Sequence, residues 1–415
     1  MVSASVPGNY FEMPEQLLAR TYASLKRFVG WLEDYGETSF DHQSFFAGPL
    51  GGKAKALYYK NPLLGIPAVA PMILFEAIAP AARQFFWKPQ RFAIADAHYA
   101  MGFMFLSEAL AERKYYTKSV HFLDILEQTR CPGYEHFCWG YPFDWVTAAN
   151  GTIATGTPLI TTTPYVFEAF SQAYQVDKNE KWLAILRSIA EHAIRDIKDF
   201  PTSSSASTCS YTPFDQGGVI NASAYRALLL TSASVQLAEE KYWNVAERNL
   251  QFVLQSQQPN GSWYYSVDGK RDFVDHFHTC FVLKSLAKIE QITGHQGARE
   301  AIGRGIAYYV SNLFDEHGLP KPFSKAPRQT VYKRELYDYA ECINLCVLLR
   351  SRFSELENIL DKVLEDLLTN WQKEDGSFRA RKLFLGWDNV PMHRWAQSQV
   401  FRSLSFLLLS VKGKN

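Results

Sequence analysis

The sequence lacks an excess of charge of either sign, and it lacks any long apolar run. Its 43 Lys and Arg residues balance 42 Asp and Glu residues, a formal net charge of +1. A surface so balanced exerts no long-range attraction on nucleic acid or anionic membranes, and we expect neither as a partner. No run of about eighteen uninterrupted apolar residues occurs, so we predict no transmembrane helix. No basic segment followed by an apolar run opens the sequence, so we expect no secretory signal.

Several motifs of known chemistry are also missing. The six cysteines form no CxxC pair, and no set of Cys and His residues has the spacing of a structural zinc site. GxSxG, HExxH, Walker and GxGxxG motifs are absent, which disfavours the mechanisms that depend on them. We therefore predict a reduced, cytoplasmic protein with no metal and no cofactor. A metal held by Asp275, His276 and His278 stays open as an alternative, although these residues fit no standard site.

Helical periodicity dominates what is present. Apolar residues recur at i, i+3, i+4 and i+7, strand-like alternation is scarce, and Pro and Gly breakers separate roughly twelve or thirteen segments. The chain also repeats itself. The stretch 255–263 is echoed by 371–378, and Gly261 and Gly376 are 115 residues apart. If one unit is a helical hairpin of about fifty to sixty residues, this offset is two units.

The starts of one helix class recur six times, which predicts a closed ring. These starts fall near Asp96, Thr163, Asn221, His276, Asp338 and His393. Six hairpins can close with inner helices alternating with outer ones, and an open solenoid is the competing architecture. We favour closure because six units recur and no polar capping repeat is evident. The prediction is an all-α (α/α)6 toroid forming a single domain over 1–415, with N-terminal helices and an irregular lead-in over 1–88 and repeated hairpins over 89–411.

Polar and aromatic residues gather in the loops before the inner helices, which meet at one mouth of such a ring. In the stretch 272–280, Asp275 and His278 are three residues apart and share one face of a helix. A carboxylate beside an imidazole orients the ring and holds its proton, so His278 is a candidate acid or base. The alternative is that Asp275 caps the helix and His278 is a satisfied core residue. For Asp275 both interpretations stay open.

Two further groups have the composition of a sugar site. In the stretch 389–399, Arg394 suits a carboxylate or a ring of hydroxyls, and Trp395 offers a stacking surface. The stretch 138–145 is either a packed structural loop or an aromatic platform for sugar rings. The candidate substrate-binding residues are Trp139, Tyr141, Asp144, Trp145, Tyr165, Asn221, Trp263, Tyr265, His276, Arg394 and Trp395.

Six short motifs follow one another along the chain, at 139–145, 162–166, 219–222, 261–265, 275–279 and 391–395. This series, over about residues 90–410, resembles a group of bacterial polysaccharide-biosynthesis proteins encoded with capsule or exopolysaccharide genes. The resemblance implies an oligo- or polysaccharide substrate and other polysaccharide-assembly proteins as partners.

The segment 275–279 is also similar to the Asp-Tyr-His-Thr segment in the catalytic domain of heparan glucuronyl C5-epimerases, which are toroidal as well. In that family, tyrosines and acids around the cleft move the C5 proton. By this resemblance, the candidate tyrosines here are Tyr211, Tyr264, Tyr265, Tyr332 and Tyr339.

These observations predict an enzyme of surface-polysaccharide synthesis that epimerises or eliminates at a uronate carbon. In this mechanism His278, oriented by Asp275, acts as base or acid, and Arg394 holds the substrate carboxylate. A cleft tyrosine, Tyr211 or Tyr339, serves the opposite face of the sugar.

Two alternatives remain open. One is glycoside hydrolysis by two carboxylates, with Asp144 paired with Asp275 or Asp338. The other is a non-catalytic glycan-binding or scaffold protein of polysaccharide assembly. Convergence of Asp275, His278 and a tyrosine on one cleft favours catalysis over binding alone.

Overall fold

The computed structural model describes residues 13–411, and most of this range is helical. The helices are α1 (Glu15–Tyr35), α2 (Ser44–Ala47), α3 (Pro49–Lys60), α4 (Pro62–Ile78), α5 (Ala93–Leu110), α6 (Arg113–Gln128), α7 (Thr163–Asp177), α8 (Glu180–Arg195), α9 (Ile220–Gln236), α10 (Glu240–Gln255), α11 (His276–Thr293), α12 (Gln296–Asn312), α13 (Leu336–Leu349), α14 (Glu355–Asp366) and α15 (Ser398–Val411). A 3₁₀ helix covers Pro80–Phe85, and π-helical turns cover Leu367–Trp371 and His393–Gln397.

Six of these helices, α5, α7, α9, α11, α13 and α15, form the inner wall of a ring. Each packs on the next, and α15 packs back on α5, so the wall is closed. The inner helices are buried on almost every side, whereas an outer helix such as α8 buries one stripe at helical spacing, with Trp182, Ile185 and Ile189 on it. The predicted all-α (α/α)6 toroid is confirmed. The predicted helix starts fall within a few residues of the observed ones.

The internal repeat has a structural cause, which is a glutamine that ties a turn to an outer helix. Gln257 Nε2 donates to the carbonyl of Gly261 at 3.0 Å and to that of Ala301, in α12, at 2.9 Å. Gln372 Nε2 makes the equivalent two bonds, to its own turn glycine at 2.9 Å and to a carbonyl of α1 at 3.0 Å. Helix α1 therefore occupies the outer position of the last hairpin. The toroid thus recruits a helix from the segment that the sequence assigns to the lead-in.

The two turn glycines of this repeat are required by space and by backbone conformation. Gly261 has φ +91° and Gly376 has φ +97°. A Cβ on Gly261 would lie 2.3 Å from the carbonyl oxygen of Arg304, and one on Gly376 would lie 2.5 Å from that of Arg27. Only glycine allows the turn to approach the outer helix this closely.

The loops before the inner helices carry short antiparallel strands and open at one end of the ring. The strands are β1 (Trp145–Thr147), β2 (Gly151–Ile153), β3 (Asp199–Pro201), β4 (Ser207–Cys209), β5 (Val274–Asp275), β6 (Phe323–Lys325), β7 (Tyr332–Glu335), β8 (Arg381–Leu383) and β9 (Trp387–Asp388). They form the pairs β1–β2, β3–β4 and β5–β6 and the three-stranded sheet β7–β8–β9. Strand β5 runs directly into α11, and β7 runs into α13.

Buried ion pairs join the lead-in helices to the toroid at this end. Arg83 pairs with Asp388 at 2.8 Å, and Arg381 pairs with Glu76, in α4, at 2.6 Å. Such pairs fix the orientation of the segments they join, because breaking one leaves a buried charge uncompensated. Within residues 13–411, no helix is both long enough and apolar enough to cross a bilayer.

Candidate functional site

A cavity of about 1260 Å³ opens where the lead-in helices face the loops before α9, α11 and α13. Its aromatic wall residues include Trp145, Tyr211, Tyr265, Phe273, Phe277, Tyr332 and Trp395. Its ionisable wall residues include Lys55, Arg271, Asp275, His278, Arg328, Glu335 and Arg381. Apolar rings beside hydrogen-bonding groups are the composition expected for binding a hydroxylated ligand.

The Asp275 carboxylate and the His278 imidazole form a hydrogen-bonded pair in this wall. Asp275 Oδ2 lies 2.6 Å from His278 Nδ1, and Asp275 Oδ1 accepts from the backbone N–H of His278 at 3.0 Å. Asp275 thus caps α11 and orients the imidazole at once, so the two interpretations of this residue hold together. A carboxylate only accepts, so Nδ1 carries the proton. Nε2 is then free to exchange a proton with a ligand.

The His278 ring is partly exposed and surrounded by aromatic rings. Its side chain is 23% exposed, whereas that of Asp275 is 2% exposed. Tyr265 meets the imidazole edge-on at 4.8 Å, and Phe281 does so at 5.4 Å. Burial raises the pKa of Tyr265 to about 12, so its hydroxyl is protonated at neutral pH. The pair therefore has a dry, shielded side at Asp275 and an accessible side at His278.

Tyr211, a predicted catalytic residue, also lines the cavity. Its hydroxyl accepts a hydrogen bond from Thr161 Oγ1 at 3.0 Å, and its ring lies 6.0 Å from that of Trp145. Burial raises the pKa of Tyr211 well above its ordinary value, so the hydroxyl is a proton donor rather than a base. Trp395 completes the wall and stacks on Tyr337 at 4.6 Å. The structure thus brings Asp275, His278 and a tyrosine to one cavity.

Arg394 has a partner within its own chain. Its guanidinium donates to the two carboxylate oxygens of Asp41 at 2.6 and 2.9 Å, and to the Tyr141 hydroxyl at 3.1 Å. Burial alone would raise the pKa of Asp41, but the Arg394 guanidinium holds it well below its ordinary value. The sequence predicts that Arg394 binds a substrate carboxylate, but in the structure the carboxylate of Asp41 already occupies that place. The pair instead ties the lead-in to the loop before α15.

Two other cations line the cavity, and sequence reasoning missed both. Lys55 projects from α3 and donates to Gln43 Oε1 at 2.9 Å, and Arg328 lies on the exposed rim after β6. Burial, with a contribution from the Arg328 charge, lowers the pKa of Lys55 to about 8. Among the described side chains, neither cation has a carboxylate within 4 Å, so both are available to an acidic ligand. Lys55 and Arg328 lie outside the polar motifs of the sequence, so no local pattern identified them as residues of the site.

A buried carboxyl group without a hydrogen-bond partner among residues 13–411, that of Asp338, lies near the pair. Asp338 is 1% exposed, and neither of its oxygens has a hydrogen-bond partner among residues 13–411. Burial, together with the charges of Glu335 and Asp275, raises the pKa of Asp338 well above its ordinary value. Burial therefore favours the protonated form of the Asp338 carboxyl group. Asp144, the other acid proposed for hydrolysis, is exposed, binds Thr155 and lies outside the cavity wall.

Several predicted site residues lie in the core instead of the cavity wall. Trp139 donates its indole N–H to the carbonyl of Leu126 at 2.8 Å, and Trp263 donates to that of Val253 at 2.9 Å. The two tryptophans occupy equivalent places, because each follows an outer helix and binds its last turns. This shared position in the repeat is the sequence feature that could have indicated a structural role for both tryptophans.

His276, Tyr165, Tyr339 and Asn221 are buried in the same way. His276 lies between the Tyr309 hydroxyl at 2.8 Å and the Leu313 carbonyl at 3.2 Å, and burial lowers its pKa to about 3. The Tyr165 hydroxyl bonds that of Tyr225 at 2.7 Å, and Tyr339 donates to Asp366 at 2.6 Å. Asn221 is 4% exposed, on the first turn of α9. None of these four side chains belongs to the cavity wall.

His276 also bears on the metal alternative, since both of its ring nitrogens are engaged by the core. Between residues 13 and 411, no group of three or more His, Cys, Asp or Glu side chains is arranged to hold a metal ion.

No family model matches the chain, and no curated protein matches it by sequence. Solved structures match its fold. A possible member of the GH105 family from Salmonella enterica serovar Paratyphi A has a TM-score of 0.63 at 12% identity, covering 96% of this chain and 96% of that chain. Cellobiose 2-epimerase from Bacillus thermoamylovorans has a TM-score of 0.61 at 9% identity, covering 76% and 88%. A polysaccharide lyase has a TM-score of 0.54 at 13% identity, covering 82% and 94%. These likenesses show that the chain shares its toroid fold with those proteins.

Proposed function

We propose that the chain is a carbohydrate-active enzyme that moves a proton at a carbon of a glycan, by uronate C5-epimerisation or elimination during surface-polysaccharide synthesis. The observation that carries the proposal is the Asp275–His278 pair, with its accessible imidazole in an aromatic-lined cavity. A buried carboxylate that orients a partly exposed histidine is an arrangement typical of general acid–base catalysis. A scaffold protein that only binds a glycan has no need of such an oriented histidine.

The cavity suits an acidic chain of several sugars. Its volume of about 1260 Å³ exceeds the roughly 300–1,000 Å³ of small-molecule pockets. Tyr265, Phe273 and Trp395 offer ring faces. Lys55 and Arg328 offer positive charge, and no carboxylate of residues 13–411 lies within 4 Å of either. The cations take the role that the sequence assigned to Arg394. They would favour the negative charge that develops when a proton leaves the carbon beside a carboxylate.

The proton transfer itself depends on the tautomer of His278. Nε2 accepts the proton from the sugar carbon, and the Asp275 carboxylate stabilises the imidazolium that forms. In epimerisation a protonated hydroxyl, that of Tyr211, returns a proton to the opposite face. In elimination the glycosidic C–O bond at the neighbouring carbon breaks instead, a C=C bond forms, and the departing sugar oxygen takes the proton that His278 Nε2 accepted. The two reactions share the first step and differ in the fate of the carbanion that it produces.

The names of the similar structures are consistent with this class of substrate. They include a sugar epimerase and a polysaccharide lyase, each with the same toroid fold. Because a fold hosts many chemistries, they support a glycan substrate and leave the reaction to be decided at the site.

Hydrolysis by two carboxylates is the second candidate, and Asp338 is the observation that favours it. A carboxyl group whose pKa is raised by burial and by the Asp275 carboxylate has the pattern of a glycosidase acid beside its partner. Asp338 does not line the cavity, however, so a substrate reaches it only if the wall moves. We therefore rank hydrolysis below proton transfer at carbon.

The experiment that tests the proposal measures deuterium entering the sugar in D₂O. The wild type is incubated with a panel of acidic bacterial polysaccharides and oligosaccharides, beside His278→Gln and the matched control His121→Gln, a surface histidine that pairs with Glu37. Deuterium uptake at C5 or formation of an unsaturated sugar is expected in the wild type and the control. In His278→Gln the rate should fall about 10²–10⁴-fold. Chain shortening without uptake supports hydrolysis, and full activity in His278→Gln refutes the mechanism.

A further inference from the structure

The outer surface of the lead-in helices is unusually apolar. Of the 18 large apolar side chains that are exposed between residues 13 and 411, ten lie between 50 and 85, and seven of these ten lie outside the cavity wall. The most exposed are Leu50, Leu63, Leu64 and Phe85, at 86%, 85%, 63% and 83%. Exposed apolar side chains that cluster in this way mark a surface that has a partner. We call this surface, formed by residues 50–85, the apolar hairpin.

The helix α4 is apolar on both of its sides. Val69 and Ile73 line the cavity, while Leu63, Leu64 and Ile78 face outward. From Pro62 to Phe75 no side chain carries a hydrogen-bonding group of the Asn, Ser or charged kind. A helix that is apolar all round is ordinarily buried on all sides, whereas Leu63, Leu64 and Ile78 of this helix are exposed.

The charges around the apolar hairpin have one sign. Its exposed charged residues within 48–88 are Lys53, Lys60 and Lys88. The one acidic residue of that range, Glu76, is engaged in the ion pair with Arg381. The chain-wide net charge of +1 hides this local excess, which is why composition alone predicted no membrane partner.

We propose that the apolar hairpin docks on the surface of an anionic lipid bilayer, with its aliphatic side chains in the acyl region and its lysines among the headgroups. A protein partner would supply polar contacts, because interfaces mix hydrogen bonds with apolar area, and α4 offers none across fourteen residues. An aliphatic face rimmed by lysines is complementary to a bilayer instead. Because α4 lines the cavity with its other side, the bilayer lies about one helix diameter, roughly 10 Å, from the site.

The hairpin is built to keep its shape while its outer face is exposed. A Cβ on Gly65 would lie 2.0 Å from Cα of Tyr58, so α3 and α4 meet with no space between them. Met72 is buried at 7% exposure, and Glu76 anchors the helix to the toroid. Substitutions on the outward side chains therefore remove the apolar surface without disturbing the fold.

Flotation of the full chain with vesicles tests the proposal. Phosphatidylcholine vesicles are compared with vesicles containing about one-third phosphatidylglycerol, and Leu63→Gln/Leu64→Gln is compared with Val176→Gln/Val235→Gln. The control pair is exposed at 58% and 48% near the C-terminal ends of α7 and α9. We expect the wild type and the control to float with anionic vesicles, and the leucine variant to bind at least tenfold more weakly. Lys53→Gln/Lys60→Gln should lose about fivefold per charge on anionic vesicles only.

Salt and self-association supply the remaining outcomes. Raising salt from about 0.1 M to about 1 M should weaken binding to the anionic vesicles, since it shortens the Debye length from about 10 Å to about 3 Å. No flotation with either vesicle, or equal flotation of the leucine variant, overturns the proposal. A dimer that dissociates in Leu63→Gln/Leu64→Gln without any vesicle binding overturns it as well, because the surface then belongs to a second copy. Flotation needs no turnover, so its failure is distinct from failure of the proposed reaction.

Discussion

Replacing Asp275 by asparagine separates the two functions of its carboxylate. Asparagine keeps the oxygen that accepts from the backbone N–H of His278, and Asn and Asp cap helices about equally well. The second carboxylate oxygen becomes an amide N–H₂, which faces His278 Nδ1 across the 2.6 Å contact. Two donors cannot share that contact, so the imidazole adopts the other tautomer, with the proton on Nε2. His278 is then unable to accept a proton from the substrate.

The expected magnitudes are set by this geometry. Asp275→Asn should leave the free energy of unfolding within about 0.5 kcal/mol of the wild type, while the rate of deuterium uptake falls about 10²–10⁴-fold. Asp275→Ala should lose the same activity and in addition about 1 kcal/mol of stability, because the first turn of α11 loses its cap. The measurements are deuterium uptake at saturating glycan and urea-induced unfolding of the three proteins.

Two outcomes would refute this reasoning. If Asp275→Asn turns over at the wild-type rate, the carboxylate serves only as a cap and the tautomer of His278 is irrelevant to the reaction. If Asp275→Asn is destabilised as much as Asp275→Ala, the loss of activity reports the helix terminus and not the imidazole. The combination of intact stability and lost uptake is specific to an orienting carboxylate.

Five further substitutions test the fold and the site. Gly261→Ala places a methyl group 2.3 Å from a backbone oxygen and should lower the free energy of unfolding by more than about 1 kcal/mol. The control Gly303→Ala, at an open position of α12, should raise the free energy of unfolding by up to about 1 kcal/mol. Urea titrations measure both changes. Arg394→Gln leaves Asp41 buried without its partner and should cost about 3–5 kcal/mol. The folded-state pKa of Asp41 is depressed, so its carboxylate contributes to the free energy of unfolding above the unfolded-state pKa of about 3.9 and loses this contribution as the pH falls below it. Urea titrations between about pH 5 and pH 2 should therefore show a shallower loss of stability in Asp41→Asn than in the wild type. Arg328→Gln should raise KM for an acidic glycan and also lower kcat in steady-state assays, since the cation binds the substrate carboxylate and favours the negative charge that develops when the proton leaves.

The toroid could be predicted from the sequence because its determinants are local and repeated. Apolar periodicity marks each helix, and the Gln-x-x-x-Gly turn recurs where an outer helix must be held. What escaped the sequence was the use of α1 as the outer helix of the last hairpin. Its contacts join residues about 345 positions apart, as between Arg20 and Glu365, and such a distance leaves no trace in local spacing. Closing a ring always requires one such contact, and a periodic pattern cannot say which segment provides it.

The candidate site shows the same distinction between local determinants and contacts between residues far apart in sequence. Asp275 and His278 could be found because helical geometry alone places residues three apart on one face. Arg394 could not be interpreted in this way, since its partner Asp41 lies 353 positions earlier and decides whether the guanidinium is available to a ligand. The polar side chains of a toroid mouth therefore fall into two sets that look alike in sequence, those that face the ligand and those that bind the segment covering it. We propose Lys55 and Arg328 for the first set for the converse reason, because no carboxylate from the described part of the chain lies within 4 Å of them.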